Sequence, residues 1–461
     1  MDQIFNLSFP HIGEQIFNNF STTKVLEFSQ VSKTWKVLAE NVIVKRWRGK
    51  LPRILKTLKS SKSKVIELLL EHSKIESAEL NQHFNGMTLF MWACKNGHID
   101  VVKLLLERSD FDFNDKDSTE TKNTAFMWAC QNGHQDIVKT LLEEPSDRID
   151  YNAISGRCKD WIVPTMTAFV IACKSGQREV VKLLLNYSNS KNIEVNGEEG
   201  LSWTLVMLSD LCRTRPHEGH VGHVAVVKLL LDQNVINIDF NAKVNSSSSP
   251  ILQAGQTGSL DVVKLFLDYA DAKNIDLNAA DYEGKTLLLY ACRHGKEDLF
   301  KLLLDYSGKS HIDWNAKDDC GWTAFTWACI RDNKFMAQSL MDLSERKEID
   351  LNARDDEGMT AIMHLYSASH KDFLKFLLKN SKGYQLDWNA KQPDGDNLLM
   401  NACRSHYPEI VKLLLKHAQS KGIEVPEPDY FWYIEQPTID LLRKYKNNKK
   451  RRKYCNFFLR N

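Results

Sequence analysis

Cys94 and His98, and again Cys130 and His134, stand four residues apart, a separation that would suit two ligands of one metal ion. Zinc needs about four converging ligands, whereas these pairs come one to each copy of a longer phrase. His98 and His134 are therefore expected to satisfy backbone groups at a turn. His217, His220 and His223 form a local histidine cluster with Cys212 nearby, which reads either as a metal site or as a polar loop. Gly284-Lys285-Thr286 has the ending of a phosphate-binding loop, but that motif requires glycine at 279, where Ala279 stands, and a strand ahead of it. It reads as a helix entry. No Ser-His-Asp, Cys-His or paired-carboxylate arrangement stands out. No catalytic, cofactor or metal residue is assigned, and the chain is expected not to be an enzyme.

Two other sets of residues have chemistry of a different kind. Arg443–Lys453 hold eight basic residues and no acid. Such a run could be an import signal, a nonspecific contact for anionic lipid or RNA, or a solvated segment. Trp92, Trp128 and Trp327 occupy one place in a recurring helix, four residues after a threonine, with Trp314 and Trp388 elsewhere in the repeat. Core packing and partner recognition are both open for that stripe, because large rigid aromatics are favoured at interfaces.

The composition narrows the frame. Of 461 residues, 43% are hydrophobic and 26% charged, as in folded soluble proteins, and the length exceeds one ordinary core. Lys plus Arg number 61 against 59 Asp plus Glu, a formal charge of +2, which argues against a surface devoted to nucleic acid. Neither a secretory leader nor a spanning segment is read, so an intracellular chain is expected, cytoplasmic or, if the basic run is an import signal, nuclear.

The elements that carry these residues repeat. Ala-Cys returns at 93–94, 129–130, 172–173, 291–292, 328–329 and 402–403, which places six cysteines as small buried side chains rather than as disulfide partners. Thr286, Thr323 and Thr360 lie 37 residues apart, and Asn397 takes the next such place. Each copy divides into two helical patterns. Thr or Asn caps the first, a break such as Asn-Gly-His comes next, and the second opens with an acid before a Val-Val-Lys-Leu-Leu-Leu core. A polar turn with Asn-Ala-Lys-Asp or a relative closes the copy. Helices of roughly 8 to 10 residues are not stable alone, so burial between neighbouring copies must hold them.

This phrase resembles the ankyrin repeat, in about nine copies over residues 84–425. The resemblance implies an all-α solenoid of helix-turn-helix units with hairpin-like or extended loops. The family's Thr-Pro-Leu-His becomes Thr-Ala-Phe-Met at 124–127, Thr-Ala-Phe-Val at 167–170 and Thr-Ala-Phe-Thr at 323–326. Insertions near 152–165 and 213–223 read either as tolerated loops or as binding loops; Arg213, Arg215, His217 and His220 are their candidate contacts, beside Trp92, Trp128 and Trp327. Residues 50–83, with Lys64–Leu70 like the second half of a copy, are expected to form a helical capping unit. Residues 426–461 would supply a cap built on Phe431, Trp432 and Tyr433, succeeded by the basic run.

Residues 5–49 do not match the repeat. Three short amphipathic helices read from His11–Phe20, from Ser21 or Thr22 onward, and from Gln30–Val44. Phe9-Pro10, Glu14, Ile16-Phe17 and then Val31-Ser32-Lys33, Trp35 and Leu38-Ala39 resemble an F-box, with Gly13, Val42 and Val44 as departures. That resemblance implies that Pro10, Ile16, Phe17, Val31, Ser32 and Trp35 lie at or just behind a surface docking the Skp-type adaptor of a cullin-RING ubiquitin ligase. The expected function is then substrate recruitment: the repeats select a protein and the F-box-like module hands it to the ligase. A scaffold with no ligase link is the alternative. Neither reading requires a cofactor, a specific nucleic acid or a membrane.

Overall fold

The computed structural model describes residues 80–108, 111–145, 147–156, 166–195, 220–233, 239–241, 248–308, 311–346, 349–366, 370–381, 383–427 and 434–458, with Val42, Ile66, Leu70 and Lys243 as single positions. The chain divides into two compact units, residues 1–238 and 239–461.

The first unit holds α1 (Leu89–Asn96), α2 (Ile99–Leu106), α3 (Ala125–Gln131), α4 (Gln135–Glu143), α5 (Ala168–Lys174), α6 (Arg178–Tyr187) and α7 (His220–Asp232). Each first helix begins where a threonine hydroxyl accepts an amide that would otherwise lack a partner. Thr88 takes it from Met91, Thr124 from Met127 and Thr167 from Val170. Gly97 ends α1 at φ 80°, a conformation glycine adopts without steric cost. The second helices bury both residues of the Val-Val or Ile-Val pair and leave Lys103, Lys139 and Lys182 exposed. First helices stack on first helices (α1 on α3 on α5) and second on second (α2 on α4 on α6 on α7).

The second unit repeats the pattern with α8 (Pro250–Thr257), α9 (Leu260–Asp268), the short α10 (Ala270–Lys273), α11 (Leu287–His294), α12 (Glu297–Asp305), α13 (Ala324–Ile330), α14 (Lys334–Ser344), a 3-10 helix (Ala361–Tyr366), α15 (Lys371–Asn380), α16 (Leu398–Arg404), α17 (Pro408–Lys421) and α18 (Gln436–Phe458). Thr286, Thr323 and Asn397 cap α11, α13 and α16. The stacking order is α8, α11, α13, the 3-10 helix and α16. Ala254, Ala291, Ala328 and Ala402 are fully buried along it, which keeps neighbouring helices close. At Gly255 a Cβ would stand 2.1 Å from Leu287 Cδ1, so a larger residue there requires the Leu287 side chain to shift.

Two features depart from the sequence reading. Thr360 does not cap an α-helix, and Ala361–Tyr366 tighten into the 3-10 form. Leu365 and Tyr366 stand there in place of Ala-Cys, and their bulk replaces the small residues that permit close helix packing. His220 and His223, read as part of an inserted loop, belong to α7; His223 is buried and its Nε2 lies 2.9 Å from the Lys174 carbonyl oxygen. Pro437 sits in the first turn of the 23-residue α18, where its missing N–H removes no helical hydrogen bond.

Candidate functional site

Trp128 in the first unit and Trp327 in the second are held in the same way. Asp318 begins a tight turn in which its Oδ1 accepts the amides of Cys320 and Trp322, at 3.0 and 2.9 Å. Its Oδ2 accepts the indole Nε1–H of Trp327, the fourth residue of α13, at 2.9 Å. One buried carboxylate therefore holds the turn and orients the ring. In the next copy Asp355 accepts the amides of Glu357 and Met359, and its Oδ2 lies 2.8 Å from His364 Nε2. Asp396 grips Arg404 through a 2.5 Å contact from Nε. In the first unit Asp117 Oδ2 accepts from Trp128 Nε1 at 2.9 Å, across a longer loop.

Around these anchors the fourth helical position forms a row. In the first unit it comprises Trp92 and Trp128, both half-buried, and the buried Ile171 of α5. Trp92 stacks on His98 with ring centroids 4.6 Å apart, and Lys95 Nζ lies 3.8 Å from the Trp128 ring centroid. In the second unit the row runs Gln253, Tyr290, Trp327, His364 and Asn401. Trp322 adds an edge contact to Trp327 at 4.6 Å and to His364 at 5.5 Å. Arg293 lies 5.2 Å above the Trp327 ring and pairs with Glu283 at 2.9 Å. Trp327 is itself buried, so in this unit the half-exposed Trp322, Tyr290 and Arg293 offer the contact area. Rings carrying a cation on one face are rigid and amphipathic, which suits recognition of a polypeptide. Trp314 and Trp388 are buried in the core instead, Trp314 edge-on to Phe300.

A second ladder joins the polar turns. Asn278 accepts the Asp313 amide at 2.8 Å through Oδ1 and donates from Nδ2 to the His311 carbonyl at 2.8 Å. Asn114, Asn152, Asn241, Asn352 and Asn389 repeat both bonds toward the next turn along the chain. Lys243, Lys317 and Arg354 add side-chain bonds to the Ala280, Arg354 and Lys391 carbonyls. The sequence reading took Asn-Ala-Lys-Asp only as a turn and missed the anchoring role of Asp117, Asp318 and Asp355. The signal was present: Asp281, Asp318 and Asp355 recur at the same 37-residue interval as the capping threonines.

The chemistry-bearing residues fall where a scaffold would put them. Cys94, Cys130, Cys173, Cys292, Cys329 and Cys403 are buried free thiols. Burial pushes their pKa values up, that of Cys403 to about 12, which disfavours the thiolate needed for nucleophilic or metal chemistry. His134 Nε2 lies 2.9 Å from the Lys95 carbonyl oxygen, a backbone contact to the preceding copy. Among the described residues no three His, Cys, Asp or Glu converge as a metal site. Thr286 of Gly284-Lys285-Thr286 caps α11, as a helix entry should. Arg213, Arg215 and His217 lie outside the described residues, and His220 opens α7. Pro10, Ile16, Phe17, Val31, Ser32 and Trp35 also lie outside them; within 5–49 only Val42 is described, helical and buried. Phe431, Trp432 and Tyr433 lie outside them too.

A family model described as ankyrin repeats (3 copies) matches residues 57–155, 218–318 and 309–387, together more than half of the chain. The matched segments start downstream of the F-box-like stretch and take in most of the expected capping unit. Among solved structures, the ankyrin repeat domain of Bcl-3, a unique member of the IkappaB protein family, is 20% identical over 54% of this chain and 99% of that one, with a TM-score of 0.42. The ankyrin repeat protein EF0377 is 20% identical over 41% of this chain and 90% of that one, with a TM-score of 0.35. No curated protein sequence matches the chain.

Proposed function

This chain belongs to the ankyrin-repeat family, and from that premise we propose that it is a non-catalytic scaffold for protein–protein contact, with a recognition surface in each unit built on the row at the fourth helical position: Trp92 and Trp128 in the first, and Tyr290 with the neighbouring Trp322 and Arg293 in the second. The observation that carries the reading is the anchoring of the row. Buried carboxylates fix Trp128 and Trp327, while Lys95 and Arg293 lie over their rings. Rings held in place before a partner arrives lose little freedom on binding, which is the condition for an interface hot spot. The test compares partners cross-linked in cells to the wild type, to W92A/W128A and to D100A/K103A, which alters exposed residues of α2. Loss of a shared partner set from the tryptophan variant alone is expected, after circular dichroism has shown all three proteins folded. Identical partner sets would refute the surface assignment.

A finer reading makes the scaffold the substrate receptor of a cullin-RING ubiquitin ligase. It is supported by the residue pattern at 9–47, where Phe9-Pro10, Ile16-Phe17, Val31-Ser32 and Trp35 resemble an F-box. Purified full-length protein should then bind a Skp-type adaptor, and Ile16→Ala with Phe17→Ala should abolish binding while the repeats stay folded. A folded wild type that binds no member of a Skp-family panel leaves the scaffold without a ligase link. The location that goes with either reading is the cytoplasm, or the nucleus if the basic run serves as an import signal.

A further inference from the structure

Helix α18 does more than close the second unit. Over its 23 residues it extends about 34 Å at 1.5 Å per residue. It packs against α17 near its start, where Thr438 and Leu442 are fully buried. Tyr445 and Lys446 are half-buried, and Lys446 pairs with Glu427. Arg443, Lys444, Asn447, Asn448 and Lys449 are exposed. Packing thus seats the first half of the helix, and the helix continues to Phe458.

That continuation is chemically distinctive. No acid comes after Asp440, and five consecutive cations occupy 449–453. Tyr454, Phe457 and Phe458 come next, at i, i+3 and i+4, which places them on one helix face by register. We propose that the distal half of α18 attaches the protein to anionic membrane surfaces, the cations meeting lipid headgroups and the aromatic face entering the interfacial layer. Charge complementarity selects an anionic occupant, since each cation near such a surface strengthens binding about fivefold. The aromatic face selects a bilayer over a nucleic-acid duplex, whose phosphates meet the cations alone, because aromatic rings gain at headgroup depth; single-stranded RNA, on whose bases such rings stack, is the competing ligand the experiment includes. Two weak signals on one element are what reversible anchoring requires. No helix among the described residues is long and apolar enough to cross a membrane, and the proposal needs only surface contact.

The experiment is co-sedimentation of the full-length protein with phosphatidylcholine vesicles, with and without phosphatidylserine. The wild type is expected to bind the phosphatidylserine vesicles at least about a hundredfold more tightly, with affinity falling as salt rises. K449Q/K450Q/R451Q/R452Q/K453Q should reduce binding to the phosphatidylcholine level. Y454S/F457S/F458S should lose about tenfold or more while keeping the salt dependence. R443Q/K444Q/K449Q, confined to exposed cations, should lose an intermediate amount and covers the case in which the five-cation variant misfolds. The proposal is overturned if the folded wild type shows no preference for phosphatidylserine, or if both charge variants that fold bind unchanged. It is also overturned if duplex DNA or single-stranded RNA binds as tightly as the phosphatidylserine vesicles, which would make α18 a general polyanion or nucleic-acid site.

Discussion

Replacing Asn278 by alanine removes two bonds that tie one polar turn to the next, to the Asp313 amide and the His311 carbonyl, each 2.8 Å long. An intramolecular hydrogen bond contributes about 0.5 to 1.5 kcal/mol net. Asp313 and His311 are exposed, so water takes over as partner and no buried group is left unsatisfied. The expected loss is therefore about 1 to 2 kcal/mol, below the sum of two buried bonds. Because each copy of a repeat array is stabilised mainly by its neighbours, the loss should be concentrated at this junction. Amide exchange reads it directly: the Asp313 N–H donates to the deleted oxygen, and a 1.4 kcal/mol loss accelerates its exchange about tenfold. Asn380→Ala is the control, since its side chain bonds only the Phe376 carbonyl within its own helix. That change should cost less than about 0.5 kcal/mol in a urea titration and leave Asp313 protected. An Asn278→Ala protein with Asp313 exchange unchanged and the same urea midpoint would refute the ladder as a source of coupling.

Trp327→Phe keeps most of the ring but deprives Asp318 Oδ2 of its indole donor; a destabilisation of about 1 to 3 kcal/mol is expected in urea titration, against little change for Trp322→Phe, whose ring makes only edge contacts in the row. Gly321 and Gly295 both have positive φ, at 76° and 64°, but a Cβ at Gly321 would meet the Asp356 backbone nitrogen at 2.8 Å whereas that at Gly295 meets nothing within 4 Å. Gly321→Ala should therefore lower the melting temperature clearly more than Gly295→Ala, which carries only the backbone penalty of about 1 kcal/mol; equal shifts would count against the close approach. Alkylation of the native protein and subsequent peptide mapping should modify the exposed Cys320 and spare the six buried Ala-Cys thiols until denaturant is added. Rapid labelling of Cys292 or Cys329 under native conditions would contradict their burial.

Such contrasts depend on which features are local. Arrays of paired helices need a small residue where backbones approach, and Ala-Cys supplies it in six copies, Ala254-Gly255 in another. Among the described residues one copy lacks the small pair: Leu365 and Tyr366 occupy those places, Thr360 loses its capping role and the helix tightens. The second helices are more tolerant. Phe300 replaces a valine of the common pattern and stays fully buried against Trp314, because the loop after its helix brings that ring to it.

From the sequence alone came the helix pairs, their starts at Thr88, Thr124, Thr167, Thr286, Thr323 and Asn397, and the burial of the Ala-Cys residues. Each of these is decided within a few residues: a capping side chain meets an amide three positions on, and an apolar stripe keeps the helical period. The tertiary structure alone decided the rest. That Asn278 bonds the turn 33 to 35 residues ahead results only from stacking, which closes distances no local pattern encodes. The pairing of Asp318 with Trp327 had a periodic signal, yet its geometry needs the turn and the helix placed side by side. Where α7 begins was likewise a tertiary outcome. His223 is drawn into its helix by the Lys174 carbonyl of the preceding copy, and α18 is seated by the burial of Thr438 and Leu442. Short helices take their limits from what they pack against, because nucleating a helix costs more than one or two turns return on their own.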